Sequence, residues 1–225
     1  ESVPDTARVL SRFVNGIMIR TFAHSELIEL AQNATIPVIN GLTDFSHPCQ
    51  ILADMLTIKD KKKALQGITV AYIGDGNNVC NSWLFGAPKM GINLRVASPK
   101  GYEPDAEVVK RARVFADASR SQLVITNSPE DAVRDADVVY TDVWTSMGQE
   151  QESAKRLKDF AGFQINQQLV KLAKKDCLVM HCLPAHRGEE ITDEVIDGPN
   201  SVVFDEAENR LHAQKGILAL LMQNK

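Results

Sequence analysis

Four short runs in this sequence place acid, anion-binding or amine-binding groups beside the signals for a strand end or a helix start. His47-Pro48-Cys49-Gln50 follows residues 40–44, a loop-like stretch behind an apolar run. A histidine and a glutamine there can both donate hydrogen bonds to a carbonyl or phosphoryl oxygen. Taken alone, the run reads as a helix N-terminus with Pro48 at its first position. Asp142-Val143-Trp144-Thr145-Ser146-Met147-Gly148 begins where another apolar run stops. Its carboxylate could hold an ammonium group, and Ser146 and Met147 sit where a loop could close over a ligand. A plain cap or turn role for Asp142 fits almost as well.

His181-Cys182-Leu183-Pro184 also ends an apolar run. A free cysteine is most often an inert buried thiol. Cys182 is distinguished by its place at a strand's carboxyl end ahead of a Pro-started loop, a setting that Cys80 and Cys177 lack. No Asn or Asp partnering a histidine in the manner of a protease is evident. Glu206-Ala207-Glu208-Asn209-Arg210 opens the last helical pattern. Arg210 could clamp an anion bidentately, although pairing with Glu206 one turn earlier is the simpler expectation. A fifth run, Ile73-Gly74-Asp75-Gly76-Asn77-Asn78, offers a Gly-rich turn at a helix start, a setting that suits anions. As a dinucleotide fingerprint it fails twice. Val79 replaces the third glycine, and the next strand ends in Ala97-Ser98-Pro99-Lys100, without an acid for a ribose hydroxyl. A nicotinamide-dependent oxidoreductase is therefore a minor alternative.

The elements that must position these groups are legible as alternation. Strands are expected at 17–20, 37–40, 68–73, 93–97, 123–126, 138–142, 178–182 and 202–204, with helices at 25–32, 104–118, 130–135 and 166–174. Most strand runs are continuously apolar, as in strands covered on both faces of a parallel sheet. The fold class expected is α/β, a doubly wound parallel sheet with a second, incomplete α/β unit. The expected division is 1–46 as that incomplete unit, 47–64 as a connecting helix, 65–205 as the doubly wound domain, and 206–225 as a terminal helix. The stripe Leu211, Leu218 and Met222 on that last helix must dock on something.

Composition narrows the classes. A formal charge of −4 and a charged fraction of 24% give no basic surplus, and Lys61-Lys62-Lys63 reads as a solvated helix end, so nucleic acid is not an expected partner. No apolar run approaches the roughly 20 residues of a membrane span. The four cysteines have no CxxC spacing, which points to free thiols in a reducing compartment.

Together, Asp5-Thr6-Ala7-Arg8-Val9-Leu10, Arg20 and the five runs above resemble the ornithine carbamoyltransferase family along the whole sequence. The Ser146-Met147-Gly148 loop is similar to the ornithine-binding form rather than that of aspartate or putrescine relatives. The loop after Pro184 lacks the long insertion of acetylornithine and succinylornithine relatives. The resemblance implies an ornithine-binding domain beside a carbamoyl-phosphate domain. Carbamoyl phosphate would be held by Arg20, His47, Gln50 and Arg210, with the backbone around Cys182 and Leu183 receiving the carbamoyl group. Ornithine would be held by Asn78, Asp142, Ser146 and Met147. Cys182, Asp142, His47 and Arg20 would be catalytic, the thiol orienting the attacking amine rather than forming an acyl intermediate. The resemblance further implies no metal or organic cofactor, a homotrimer, a place in arginine metabolism, and a cytoplasmic, mitochondrial-matrix or plastid location. The family's Ser-x-Arg-Thr-Arg motif, expected upstream of residue 1, is absent from this sequence. The 225 residues alone are accordingly expected to be inactive and poorly stable, with exposed apolar surface.

Overall fold

The apolar runs pair as parallel strands in two sheets. A computed structural model describes residues 1–146, 148 and 150–223. β1 (Ile17–Arg20) and β2 (Val38–Leu42) form a two-stranded sheet accompanied by α1 (Val3–Phe13) and α2 (His24–Asn33). α3 (Pro48–Lys62) leads to the second sheet. That sheet contains β3 (Thr69–Ile73), β4 (Asn93–Ala97), β5 (Leu123–Thr126), β6 (Val138–Thr141) and β7 (Leu178–His181) in the order β5-β4-β3-β6-β7. Crossovers are made by α4 (Asn78–Lys89), α5 (Ala106–Ser119), α6 (Pro129–Val133), α7 (Ser153–Asp159) and α8 (Gln167–Val170), before α9 (Asp193–Ile196) and the long α10 (Val203–Met222).

Continuous apolar runs become strands here because both sheet faces are covered. Val70 and Tyr72 enter a core with Trp83, Leu84, Leu94 and Met180, whereas Ala71 and Ile73 enter one with Val139, Phe160, Ile165 and Val179. All four consecutive residues 70–73 are fully buried, so no polar alternation survives in the sequence. Tyr140 stacks on Tyr72 at 5.8 Å and meets Trp83 edge-on at 5.4 Å. Helix starts are set by side-chain caps from Ser2, Asn77, Asp105, Ser128 and Asn166 onto N–H groups that have no partner within the helix. α3 ends at the left-handed Lys63, and its terminal lysines pair with Asp205 at 2.8 Å and Asp176 at 2.9 Å.

Three expectations change. The run 202–204 is not a strand. Ser201 makes one bridge to Val179, and α10 starts at Val203, where Asp205 and Glu206 complement the positive helix end. The helix expected over 166–174 stops at Val170 and turns, returning the Lys174 N–H to the Ala136 carbonyl. α1 was not expected, although Ser2 with Asp5 three residues on is a helix-start signature. α10 packs on α3 but leaves Leu211 59% and Leu218 44% exposed. Among the described residues, no helix is long and apolar enough to cross a membrane.

Replacing Leu94, fully buried on β4, with Ala is expected to cost about 2–5 kcal/mol in urea denaturation, through lost burial and the cavity left behind. Val124→Ala on edge strand β5, where the side chain is 42% exposed, is expected to cost about 0.5 kcal/mol or less. Equal costs would contradict the two-faced core.

Candidate functional site

Chain order in the large sheet reverses between β3 and β6, and the loops leaving their carboxyl ends part to open a crevice. A cleft of about 1390 Å³ lies there. Its walls include Asn78 behind β3, Asp142 and Ser146 behind β6, and Cys182 and Leu183 behind β7. From the small sheet and its helices come Arg20, His47, Gln50 and Arg210. Every residue singled out from the sequence therefore reaches this cleft except Met147, which lies outside the described residues.

The acceptor wall is organised by Asp142. Its Oδ1 accepts from the Cys182 thiol at 3.0 Å and from the Val143 N–H at 2.8 Å, and its Oδ2 accepts from Asn77 Nδ2 at 2.8 Å. Burial and the adjacent Asp142 carboxylate push the Cys182 thiol well above its usual range, so the sulfur is a neutral S–H donor. Asn77 also caps α4 through Oδ1, which receives the N–H groups of Val79 and Cys80. Asn78 donates one Nδ2 hydrogen to the Thr43 carbonyl at 2.7 Å, which orients its amide so that its oxygen can accept from a ligand. The loop behind Asp142 is held by Arg156 on α7, which donates to Asp75 Oδ2 and to the Trp144 carbonyl, each at 2.8 Å.

On the opposite wall, His47 stands at the N-cap position of α3 without a side-chain cap bond, and its backbone N–H donates to Ser82 Oγ at 2.7 Å. Burial, with the charges of Arg210 and Arg20, lowers its imidazole to about 4, so a neutral ring faces the cleft. Its Nδ1 is buried without a partner among the described residues. The amide of Gln50 is turned the other way from the donor role read in the sequence. Nε2 donates inward to Asp54 Oδ1 at 2.8 Å and Glu206 Oε1 at 3.4 Å, while Oε1 accepts from Arg210 Nη1. Gln50 thus presents an acceptor, because two buried acids claim its amide hydrogens. Arg210 pairs with this oxygen rather than with Glu206, and its Nε–H is buried without a partner among the described residues.

The turn behind β7 is set by a buried His181. The Leu183 N–H donates to its Nδ1 at 2.9 Å, so Nε2 carries the ring proton and donates to Glu190 Oε1 at 3.0 Å. Leu183 sits at φ 54, in the sparsely populated left-handed region, and is followed by a cis bond to Pro184. The glycine turn is topological. The N–H groups of Gly74 and Gly76 are spent on the Ala97 and Tyr102 carbonyls, and those of Val79 and Cys80 on the Asn77 cap. A side chain at Gly76 would meet Pro104 N at 2.4 Å.

Sequence reasoning missed Asn77, Asp54, Asp75, Arg156 and Glu190 as parts of this framework. Asn77 could have been found as a helix cap immediately before Asn78. The Asp75–Arg156 pair spans 81 residues and leaves no local signal.

Comparison with known proteins agrees with this geometry. Residues 66–221 match the family model described as the aspartate/ornithine carbamoyltransferase Asp/Orn binding domain, and residues 1–60 match its carbamoyl-P binding domain. The chain is 59% identical over 222 residues to the ornithine carbamoyltransferase of Pyrococcus horikoshii, covering 99% of this chain and 70% of that protein. The solved ornithine carbamoyltransferase from Pyrococcus furiosus superposes with a TM-score of 0.97 at 57% identity, over 100% of this chain and 72% of that one. The ornithine transcarbamoylase of Giardia lamblia does so at 0.92 and 35%, over 100% and 76%. With both domain models matched in order and the cleft built where they meet, the chain belongs to the aspartate/ornithine carbamoyltransferase family.

Proposed function

We propose that this chain carries the acceptor site and the carbamoyl-facing part of the donor site of an ornithine carbamoyltransferase. The reaction moves the carbamoyl group of carbamoyl phosphate to the δ-amino group of ornithine, giving citrulline and phosphate. The observation that carries this reading is the facing of two unlike walls across one cleft. An acid, an amide and a thiol (Asp142, Asn78, Cys182) lie opposite cationic and neutral donors (Arg20, Arg210, His47).

The chemistry follows from those groups. Phosphate and the developing oxyanion are held by Arg20, Arg210 and the neutral N–H of His47. The Gln50 carbonyl oxygen accepts from the carbamoyl –NH₂, which fixes that group's orientation. Asp142 and the Asn78 amide oxygen receive the ammonium and amine hydrogens of ornithine, with Ser146 and Met147 closing on it. The unprotonated δ-amine forms the C–N bond through a tetrahedral intermediate. The C–O bond to phosphate then breaks, and phosphate leaves with the electron pair. Cys182 and Asp142 orient the amine, and the Asp142 carboxylate takes up its proton. Because the Cys182 sulfur is a neutral thiol aimed at Asp142, it orients rather than attacks.

The intact protein is read as a biosynthetic trimer in the cytoplasm. The family resemblance supports the trimer, the anabolic Pyrococcus furiosus relative supports the direction, and four free cysteines suit a reducing compartment. A sedimentation mass equal to one subunit would rule the trimer out.

Asp142→Asn is expected to weaken ornithine binding by roughly 10- to 100-fold in calorimetry, since a charge-assisted contact is lost. Cys182→Ala is expected to lower kcat for citrulline formation by about 10²-fold. Full turnover by the Ala variant would remove the thiol from the mechanism. The His47 ring is expected to show no titration by NMR between about pH 5 and 8. The direction follows from its lowered pKa. The folded protein keeps His47 neutral while the unfolded chain takes up a proton below 6.5, so this site costs stability as pH falls toward about 4. A His47 midpoint near 6.5 would contradict its buried setting.

A further inference from the structure

Beneath the donor wall, α3 and α10 bury two carboxyl groups against each other that the reaction as described does not use. Asp54 and Glu206 are both 0% exposed. Gln50 Nε2 donates to Asp54 Oδ1 at 2.8 Å and to Glu206 Oε1 at 3.4 Å. Glu206 Oε2 accepts the backbone N–H of His181 at 2.9 Å, one residue before Cys182. Asp54 Oδ2 is buried with no hydrogen-bond partner among the described residues. Two bare carboxylates side by side in an apolar interior repel each other and lose their hydration. One proton held between them removes a charge and gives the orphaned oxygen a role.

The surrounding groups support a single net charge. Arg210 on α10, one turn beyond Glu206, is the cation beside the pair among the described residues. β6 contributes Tyr140, whose buried hydroxyl faces both carboxyls. β7 contributes His181, whose ring donates to Glu190, and then Cys182, a neutral thiol. Burial raises both carboxyls, Asp54 to about 7, in keeping with a retained proton at neutral pH.

We infer that Asp54 and Glu206 hold one proton between them and act as positioning residues, turning the –NH₂ of Gln50 into the protein and its carbonyl oxygen toward the carbamoyl pocket. This deepens the carbamoyltransferase reading and rests on it for its consequence in turnover. The two acids do not touch substrate. They decide which end of the Gln50 amide does, and through the His181 N–H they tie that choice to the turn carrying Cys182.

Infrared spectroscopy of this chain at neutral pH is expected to show the carbonyl stretch of a buried protonated carboxylic acid, lost in Asp54→Asn. The Asn amide stands where Oδ2 stood and donates to Glu206 without a titratable proton. A native spectrum without that band, or a band unchanged in the variant, overturns the shared proton. In the enzyme carrying this chain, Asp54→Asn is expected to keep kcat within about threefold, whereas Asp54→Ala lowers it about 10- to 100-fold with ornithine KM little changed. A simple packing role would move both variants alike. Equal losses, or wild-type kcat in the Ala variant, overturn the positioning role. Should the Ala variant not fold, Glu206→Gln decides, because it sets an amide –NH₂ against either the His181 N–H or Gln50. A tenfold fall in kcat supports the role and unchanged kcat overturns it. An unsubstituted enzyme that forms no citrulline refutes the carbamoyltransferase reading and with it the positioning role, while the infrared band still decides the proton.

Discussion

Between β3 and β6 the sheet reverses its chain order, and the loops behind the two strands leave in opposite directions. Much of the site depends on that parting. It opens the crevice, sets Asp142 at the lip, and lets Asn77 at the start of α4 reach across to the carboxylate at 2.8 Å. β7 lies on the far side of β6, so the thiol of Cys182 meets the other oxygen of the same acid at 3.0 Å. One carboxylate thereby joins the exits of three neighbouring strands. A parallel sheet makes this possible because all its carboxyl ends lie on one edge.

The second constraint is electrostatic. The cleft is walled by groups that burial would neutralise one by one, and the structure answers each differently. His47 is held neutral, which lets it donate to an anion without adding charge. Cys182 is held as a thiol by burial and by the acid it faces. Arg156 and Asp75, both nearly buried, compensate each other and in doing so anchor the Trp144 carbonyl at the base of the acceptor loop. A buried ion pair is weak support for stability, since desolvation offsets much of its attraction. Its use here is geometric, holding a loop at a fixed distance from the sheet edge.

Much of the fold was legible because parallel strands covered on both faces leave a strong signal. β1, β4 and β5 have the bounds expected from their apolar runs, and β3, β6 and β7 differ only at an end. The signal failed where it was ambiguous. Val202-Val203-Phe204 is β-branched and aromatic like a strand, yet the acids just behind it complement a helix start, and Phe204 is 71% exposed. The site was legible as a set of residue types at strand ends, but not as a set of contacts. Gln50 was read as a donor because either end of an amide can face a ligand. Only Asp54, four residues on, and Glu206, 156 residues on, decide which end does.

The sequence by itself determined the class of fold, the seven strands of its two sheets in chain order, and which loops carry reactive groups. Those follow from local periodicity and from the chemistry of each side chain, neither of which needs a partner. Tertiary structure decided everything that depends on two distant groups meeting. It made Cys182 a thiol donor by setting it against Asp142, made His47 neutral by burying it beside Arg210 and Arg20, and fixed the Gln50 amide against two buried acids. Protonation state and hydrogen-bond direction belong to an environment rather than to a residue, and in this chain that environment is assembled from segments up to 160 residues apart.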